Sequence, residues 1–415
     1  MQYLSLFFAS IDLRRAALLI FAWLAAPLAS RTRRRGTLAA AVREQLGEVR
    51  VFSFGSGRGA LAACLRAAGV GAGDTVLLSS YTCLAVPAAV LAAGARPEYV
   101  DIDAGSLCTP AETLIAALHP RVRAVVVQHT LGRSAPLGAL AAVTRERGIT
   151  LIEDCALSLG STHAGRPHGI AGDAAIFSME LSKTLSTGWG GVLAVSNPAL
   201  ADRAEEQYAQ VPEPRAFTTA RRVIQTAVCG VSFLRYLFPV GRYVVAAAFR
   251  VGIFRPSTPP GEIDGRPDAR FVERLSGTQA VLGAAQWRRL PQVAAVCAAH
   301  AARLREALTR AGFQVLAAPA AGDTAVAPRV AFLVDDRAAA IRWFESHQVE
   351  MGRWFDGPLS PLPQAAVFNY DRARFPRAVS VAERVVNLPT NVRMRDADVA
   401  RLVSLIGQYA VVEKE

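Results

Sequence analysis

Of the 46 basic residues in this 415-residue chain, only Lys183 and Lys414 are lysine. The others are arginine, whose guanidinium stays protonated and makes no imine with a carbonyl. Lys414 sits in the C-terminal tail, so Lys183 is the single interior primary amine. It closes the run FSMELSK, which leaves a strand-like segment at Ser178, and the turn STGWGG follows it. Upstream, IEDC ends another strand-like segment on Asp154, and SSYTCLA places Tyr81 at the exit of a third. FGSGRGAL opens a helix with Gly55, Ser56, Gly57, Arg58 and Gly59.

An amine, an acid, an aromatic ring and a glycine-rich helix start are what chemistry with pyridoxal 5′-phosphate (PLP) requires. The amine holds the cofactor as a Schiff base and later shuttles protons. The acid keeps the pyridine nitrogen protonated, so the ring acts as an electron sink. An aromatic or apolar plate covers the ring. Backbone N–H groups at a helix N-terminus receive the phosphate. Singly, the glycine turn reads equally as a tight turn, and Tyr81 as ordinary packing. In this order, at successive strand exits where open α/β sheets bind ligands, they converge on one PLP site with Lys183 as its catalytic residue.

The elements that must carry these residues alternate. TVLLSS (75–80), RPEYVDID (96–103), RAVVVQH (123–129), ITLIED (149–154), AAIFSM (174–179) and GVLAVS (191–196) are short apolar runs of strand type. Helical stretches lie between or before them: TLAAAVREQLG from residue 37, GRGALAACLRAA from 57, PAETLIAAL and PLGALAAVTRERG. This alternation predicts an α/β fold with a mostly parallel central sheet covered by helices. After residue 265 the texture changes. Residues 274–312 form one long helical pattern interrupted near Pro291, followed by a strand at 328–334 and a helix, DRAAAIRWFESH. The segment NLPTNVRMRDADVARLVSLIGQYA reads as a turn and then a helix capped by Asp396. The expected organisation is an apolar and basic extension (1–36), a large PLP-binding domain (37–264) and a smaller α+β domain (265–415).

Two stretches contain no acid: residues 13–43 and 214–261. The first holds ALLIFAWLAAPLA flanked by Arg14–Arg15 and RTRRR; the second holds Arg235, Arg242 and Arg250 among apolar residues, with Pro239. Neither offers the ~20 uninterrupted apolar residues of a spanning helix. Three readings remain open: buried helices or a dimer surface, helices lying on an anionic membrane surface, and, for the first stretch, a cleaved signal. The protein is expected in the cytoplasm, with peripheral attachment at the inner face of the membrane. Six cysteines lack CxxC spacing and read as buried thiols in a reducing compartment. His163 and His168 lie in a loop with no ligand partners at metal spacing, so no metal site is expected. The net charge of +12 reflects arginine usage. No basic run is interleaved with stacking aromatics, so nucleic acid is not an expected partner.

In this order the motifs resemble the DegT/StrS-type aminotransferases, PLP enzymes of fold type I. The carriers are GSGRGAL, VLLSSYTCLAVPAAVLAAGARPEYVDID, LIEDCALSLGSTHAGRPHGIAGDAAIFSMELSKTLSTGWGG, RLSGTQAVLGAAQWRRL and RVVNLPTNVRMRDADVARL. The resemblance implies that Lys183 is the Schiff-base lysine and that Asp154 pairs with the pyridine nitrogen. It implies that Tyr81 stacks on the ring, and that Ser178 with the Gly57 and Arg58 region holds the phosphate. It implies a homodimer that moves an amino group, typically from glutamate, to a keto sugar. The chain departs from the family pattern at four positions: Arg58 for Thr, Leu157 for Gln or His, Trp189 for Glu, and Val272 for a partner-chain Asn. Arg58 is expected to supply charge for the missing phosphate donors. The acid-free stretches suggest an acceptor that is lipid-linked or made at a membrane surface. The rival reading is an altered or inactive PLP-fold sensor or partner subunit. A dehydrating relative is opposed by Lys183, since such relatives replace the lysine.

Overall fold

The computed structural model describes residues 3–4, 11–26, 30–135, 137–234, 236–258, 260–263, 266, 272–355, 357–361 and 366–413. Lys414 lies outside them. A seven-stranded sheet forms the large layer. Its strands are β1 (Arg50–Phe54), β2 (Thr75–Ser79), β3 (Arg96–Val100), β4 (Val122–Gln128), β5 (Thr150–Asp154), β6 (Ala174–Ser178) and β7 (Gly191–Val195), in the order β1-β7-β6-β5-β4-β2-β3. β7 alone runs opposite to the other six strands. The expectation of a mostly parallel, helix-covered sheet holds. Its central strands are buried on both faces, which is why TVLLS and GVLAV read as unbroken apolar runs.

Helix α1 (Leu13–Leu24) starts at Asp12, whose carboxylate accepts from the N–H of Arg15 at 2.8 Å. Helix α2 (Arg31–Leu46) is capped by Ser30 and begins six residues before the expected Thr37, so it crosses the expected 36/37 boundary. Helix α3 (Gly57–Ala67) covers the sheet beside β7. The acid-free insertion folds as α4 (Ala216–Ser232) and α5 (Phe238–Arg250). The long helical pattern breaks at Arg288 and Arg289 into α6 (Gly277–Trp287) and α7 (Leu290–Arg310), with Pro291 in the first turn of α7. Helix α6 packs along α2 through a core containing Leu38, Ala41, Val42, Ala280, Ala284 and Trp287. It therefore adjoins the large sheet's layer.

The C-terminal region carries a second, antiparallel sheet: β8 (Val315–Leu316), β9 (Arg329–Leu333) and β10 (Val385–Pro389). Here the sequence reading needs correction. The NLP segment ends β10 instead of forming a turn, because Val385, Val386 and Leu388 complete the buried face. Asp396 is already inside the last helix, α8 (Asp396–Val412); its N-cap is Arg395, whose N–H donates to Asp398 at 3.0 Å. Among the described residues no helix is long and apolar enough to cross a membrane.

Candidate active site

The carboxyl ends of β5 and β6, the strand exit after β2 and the N-terminus of α3 converge on a cavity of about 130 Å³. Its wall includes Ser56, Gly57, Arg58, Cys83, Asp154, Ser178, Glu180, Lys183, Trp189 and Trp354. Five of the six expected site residues (Gly57, Arg58, Asp154, Ser178 and Lys183) therefore line one space. The sixth, Tyr81, does not. Its ring is fully buried and packs edge-on against Phe355, and its hydroxyl accepts from the N–H of Phe355 at 2.7 Å. Cys83, two residues on, reaches the cavity instead. Thr82 and Cys83 pair in parallel with Leu359 and Ser360, which fixes the path of the chain there.

The glycine turn is built by close approach. A Cβ on Gly191 would strike the Ser56 carbonyl and the Gly57 nitrogen. One on Gly57 would come within 3.3 Å of the Ser178 Cβ. Small residues thus let the start of α3 sit directly against the ends of β6 and β7. The Ser56 hydroxyl accepts from the N–H of Gly59 at 3.0 Å and sets the first turn.

Asp154 is held by the N–H of Ala156 at 3.0 Å. Burial raises its carboxyl above the ordinary range, against the opposing pull of that N–H, Lys183 and His129. A buried acid raised in this way lacks a full cationic partner. The strand beneath it is braced by Glu153, which accepts from the N–H groups of Gly169, Ala171 and Gly172 at 2.9, 2.7 and 2.8 Å. Glu153 also bonds His129 Nε2 at 2.8 Å, while His129 Nδ1 accepts from the N–H of Ala135 at 3.0 Å, so Nε2 carries the proton. His168 stacks on His129 at 4.2 Å, and burial pushes it down to about 3. The sequence placed His168 in a loop, correctly, but gave no sign of its burial.

Burial also lowers the Lys183 amine below its ordinary value. Cys83, Glu180 and Asp154 pull it back up, and Arg329 lowers it further. Trp354 presents its ring 4.7 Å from the amine and carries the Arg329 guanidinium at 3.8 Å. Glu180, Cys83 and Trp354 were not expected from the sequence. Trp354 lies in GRWFDG, far along the chain, where nothing local signals a site. Arg58 is paired with Glu262 and donates to the Ser257 carbonyl at 2.8 Å. Of the other departures, Trp189 lines the cavity, whereas Leu157 and Val272 pack in the apolar core.

This geometry has close relatives. The model of the DegT/DnrJ/EryC1/StrS aminotransferase family matches residues 28–227 and 269–407. The chain belongs to this family. A 167-residue stretch is 39% identical to the L-glutamine:scyllo-inosose aminotransferase of Streptomyces griseus, covering 40% of this chain and 39% of that protein. The match spans about two fifths of that relative's length. The crystal structure of the aminotransferase TlmJ from Streptoalloteichus hindustanus superposes with a TM-score of 0.69 at 26% identity, over 92% of both chains. Spr1654 of Streptococcus pneumoniae, solved in PLP and PMP forms, shares the fold with a TM-score of 0.75 at 18% identity over 97% of this chain and 98% of that one.

The family's cofactor is PLP, and the residues of this DegT-family chain fit it. Lys183 offers a covalent anchor in a walled cavity. The raised Asp154 carboxyl suits a pyridinium partner, whose positive charge would return it to the ionised form. The α3 N-terminus, cradled by glycines against Ser178, suits the phosphate.

Proposed function

We propose that this chain is a PLP-dependent aminotransferase that moves an amino group from an amino-acid donor to a keto sugar or keto cyclitol. The observation that carries the proposal is the convergence of the Lys183 amine, the Asp154 carboxylate and the α3 N-terminus on one cavity at the carboxyl edge of the sheet. When bound, PLP supplies the electron sink for the transfer. The chain's residues do the rest. The lowered proton affinity of Lys183 favours its neutral, nucleophilic form, and the same amine would carry protons when not joined to the cofactor. Asp154 fixes the ring nitrogen. Gly57, Ser178 and the neighbouring N–H groups hold the phosphate, with Arg58 set beside them by Glu262. Cys83 and Trp354 bound the space above Lys183, where Tyr81 was expected to act.

The family resemblance pointed to glutamate as donor. The name of the Streptomyces griseus relative specifies glutamine, which supports glutamine here. The same name supports a cyclitol or sugar ketone as acceptor. A homodimer forms part of the proposal on the strength of the resemblance. The test is direct. Protein loaded with PLP is given L-glutamine or L-glutamate, then scyllo-inosose, and the products are read by mass spectrometry. Conversion of a donor to its keto acid, followed by an amino cyclitol, is expected. Failure of both donors to react while the cofactor is bound at Lys183 would overturn the proposal.

A further inference from the structure

Within the two acid-free stretches, α1, α4 and α5 are neighbours, with α1 and α5 both packed on α4. Their inner faces are satisfied within the molecule: Ala16, Leu19, Val223 and Ala227 join Leu282 in one cluster, and Cys229 and Val245 join Trp189 in another. Each helix also carries a second apolar stripe facing outward. On α1 it is Leu13, Ala17, Phe21 and Leu24; on α4, Phe217 and Ile224; on α5, Val240, Tyr243, Val244 and Ala247. These positions follow helical spacing, so each set shares one face. Among the described residues, twelve of the sixteen exposed large hydrophobics lie within residues 13–24 and 217–253. The exposed apolar surface is therefore concentrated on this module.

Arg14, Arg215, Arg242 and Arg250 are exposed among the stripes. No acid accompanies them in either stretch, although the chain holds 34 acids, roughly one residue in twelve. This charge pattern selects the occupant. A second copy meeting this face across a two-fold axis would bring arginines against arginines with no carboxylate to offset them. An anionic bilayer answers both features: headgroups pair with the arginines, and the outward stripes enter the acyl boundary. With 12, 17 and 13 residues, the helices are too short to span and suited to lie in the plane.

We propose that the α1–α4–α5 face docks this protein on an anionic lipid surface. The module also builds part of the active-site wall. Trp189 lines the cavity and packs against Cys229, Val245 and Phe254, and Ser257 and Thr258, just beyond α5, line the cavity too. Docking therefore brings the wall of the site to the membrane, where an acceptor carried on lipid would be met. Only that last step rests on the aminotransferase reading.

The test is flotation of the PLP-loaded full chain with phosphatidylcholine vesicles, with and without a quarter of phosphatidylglycerol. Binding to the anionic vesicles alone, falling with added salt, is expected. Arg14→Glu with Arg250→Glu lowers the partition coefficient by more than about fivefold, the effect of losing even one basic contact. Phe21→Ser with Val240→Ser also releases the protein. Both changes lie outside the core and leave the glutamine half-reaction in vesicle-free buffer intact. Two results would overturn the proposal: equal flotation with neutral and anionic vesicles, or none, in the unmodified chain; and a dimer by ultracentrifugation that Phe21→Ser with Val240→Ser converts to monomer. Loss of the half-reaction with vesicle binding retained would sink the aminotransferase reading and leave docking standing.

Discussion

The Lys183 Nζ stands 4.7 Å from the ring centroid of Trp354. Arg329 shares that ring, with its guanidinium 3.8 Å from the same centroid. Two cations on one aromatic ring repel, and burial together with Arg329 lowers the proton affinity of Lys183. Burial pushes Arg329 down to about 10. The arrangement favours the neutral, nucleophilic form of the amine relative to an exposed lysine.

The pH dependence of cofactor attachment follows with a definite sign. Attachment needs the neutral amine, so it rises with pH through the Lys183 pKa. Arg329 lowers that pKa, and Glu180 raises it. Arg329→Met is therefore expected to move the attachment midpoint up, and Glu180→Gln to move it down. Borohydride trapping of PLP on Lys183 across a pH series reads both. Shifts in the same direction would show that the ring pair does not tune the amine.

Glu153 makes a separate demand on the fold beneath the site. Burial alone would raise its carboxyl, but His129 and the backbone N–H groups of Gly172 and Gly169 overcome this and hold it below the ordinary range. A folded-state pKa below the unfolded value contributes stability above about pH 4.3 that is lost as pH falls through the folded value. Glu153→Gln is expected to cost about 3 kcal/mol at pH 7, with the gap to the unmodified protein closing in acid. Urea denaturation at neutral and acidic pH measures it.

Much of this was legible in the chain. The sheet could be read because its strands are buried on both faces and so appear as uninterrupted runs. Lys183, Asp154 and the glycine turn could be read because each sits at an element's end, where local sequence decides position. Tyr81 lies outside the cavity lining, since the path of the chain after β2 is set by its pairing with Leu359–Ser360, far along the sequence. Trp354 and Glu262 arrive from segments without a motif, so no local pattern announced them. Arg58 looked like a free phosphate ligand until its buried partner was seen.

That partnership makes Arg58 a positioning element as well as a charge. Glu262 is 2% exposed, so removing the guanidinium strands a buried carboxylate. Arg58→Ala is expected to lose about 3–5 kcal/mol, whereas Arg58→Met with Glu262→Leu recovers most of that stability. If Arg58 also serves the phosphate, the double variant stays folded and still binds PLP more weakly than the unmodified protein. Thermal denaturation and PLP titration of the pair separate the two roles.

Cys83 supplies a probe of the cavity itself. Of the six cysteines it alone is not buried, and it faces the same space as Lys183. The others are sealed, and burial pushes the thiols of Cys64, Cys229 and Cys297 up to about 12. A thiolate, not a thiol, attacks an alkylating reagent, so these sites are inert on two counts. Brief treatment of the folded protein with iodoacetamide is expected to label Cys83 alone, by peptide mass mapping. PLP bound over Lys183 would occupy the space the reagent must enter, so loading the cofactor should suppress the labelling. Labelling of Cys83 that is indifferent to PLP would mean that the cofactor sits elsewhere, and would count against the cavity as the site of the reaction.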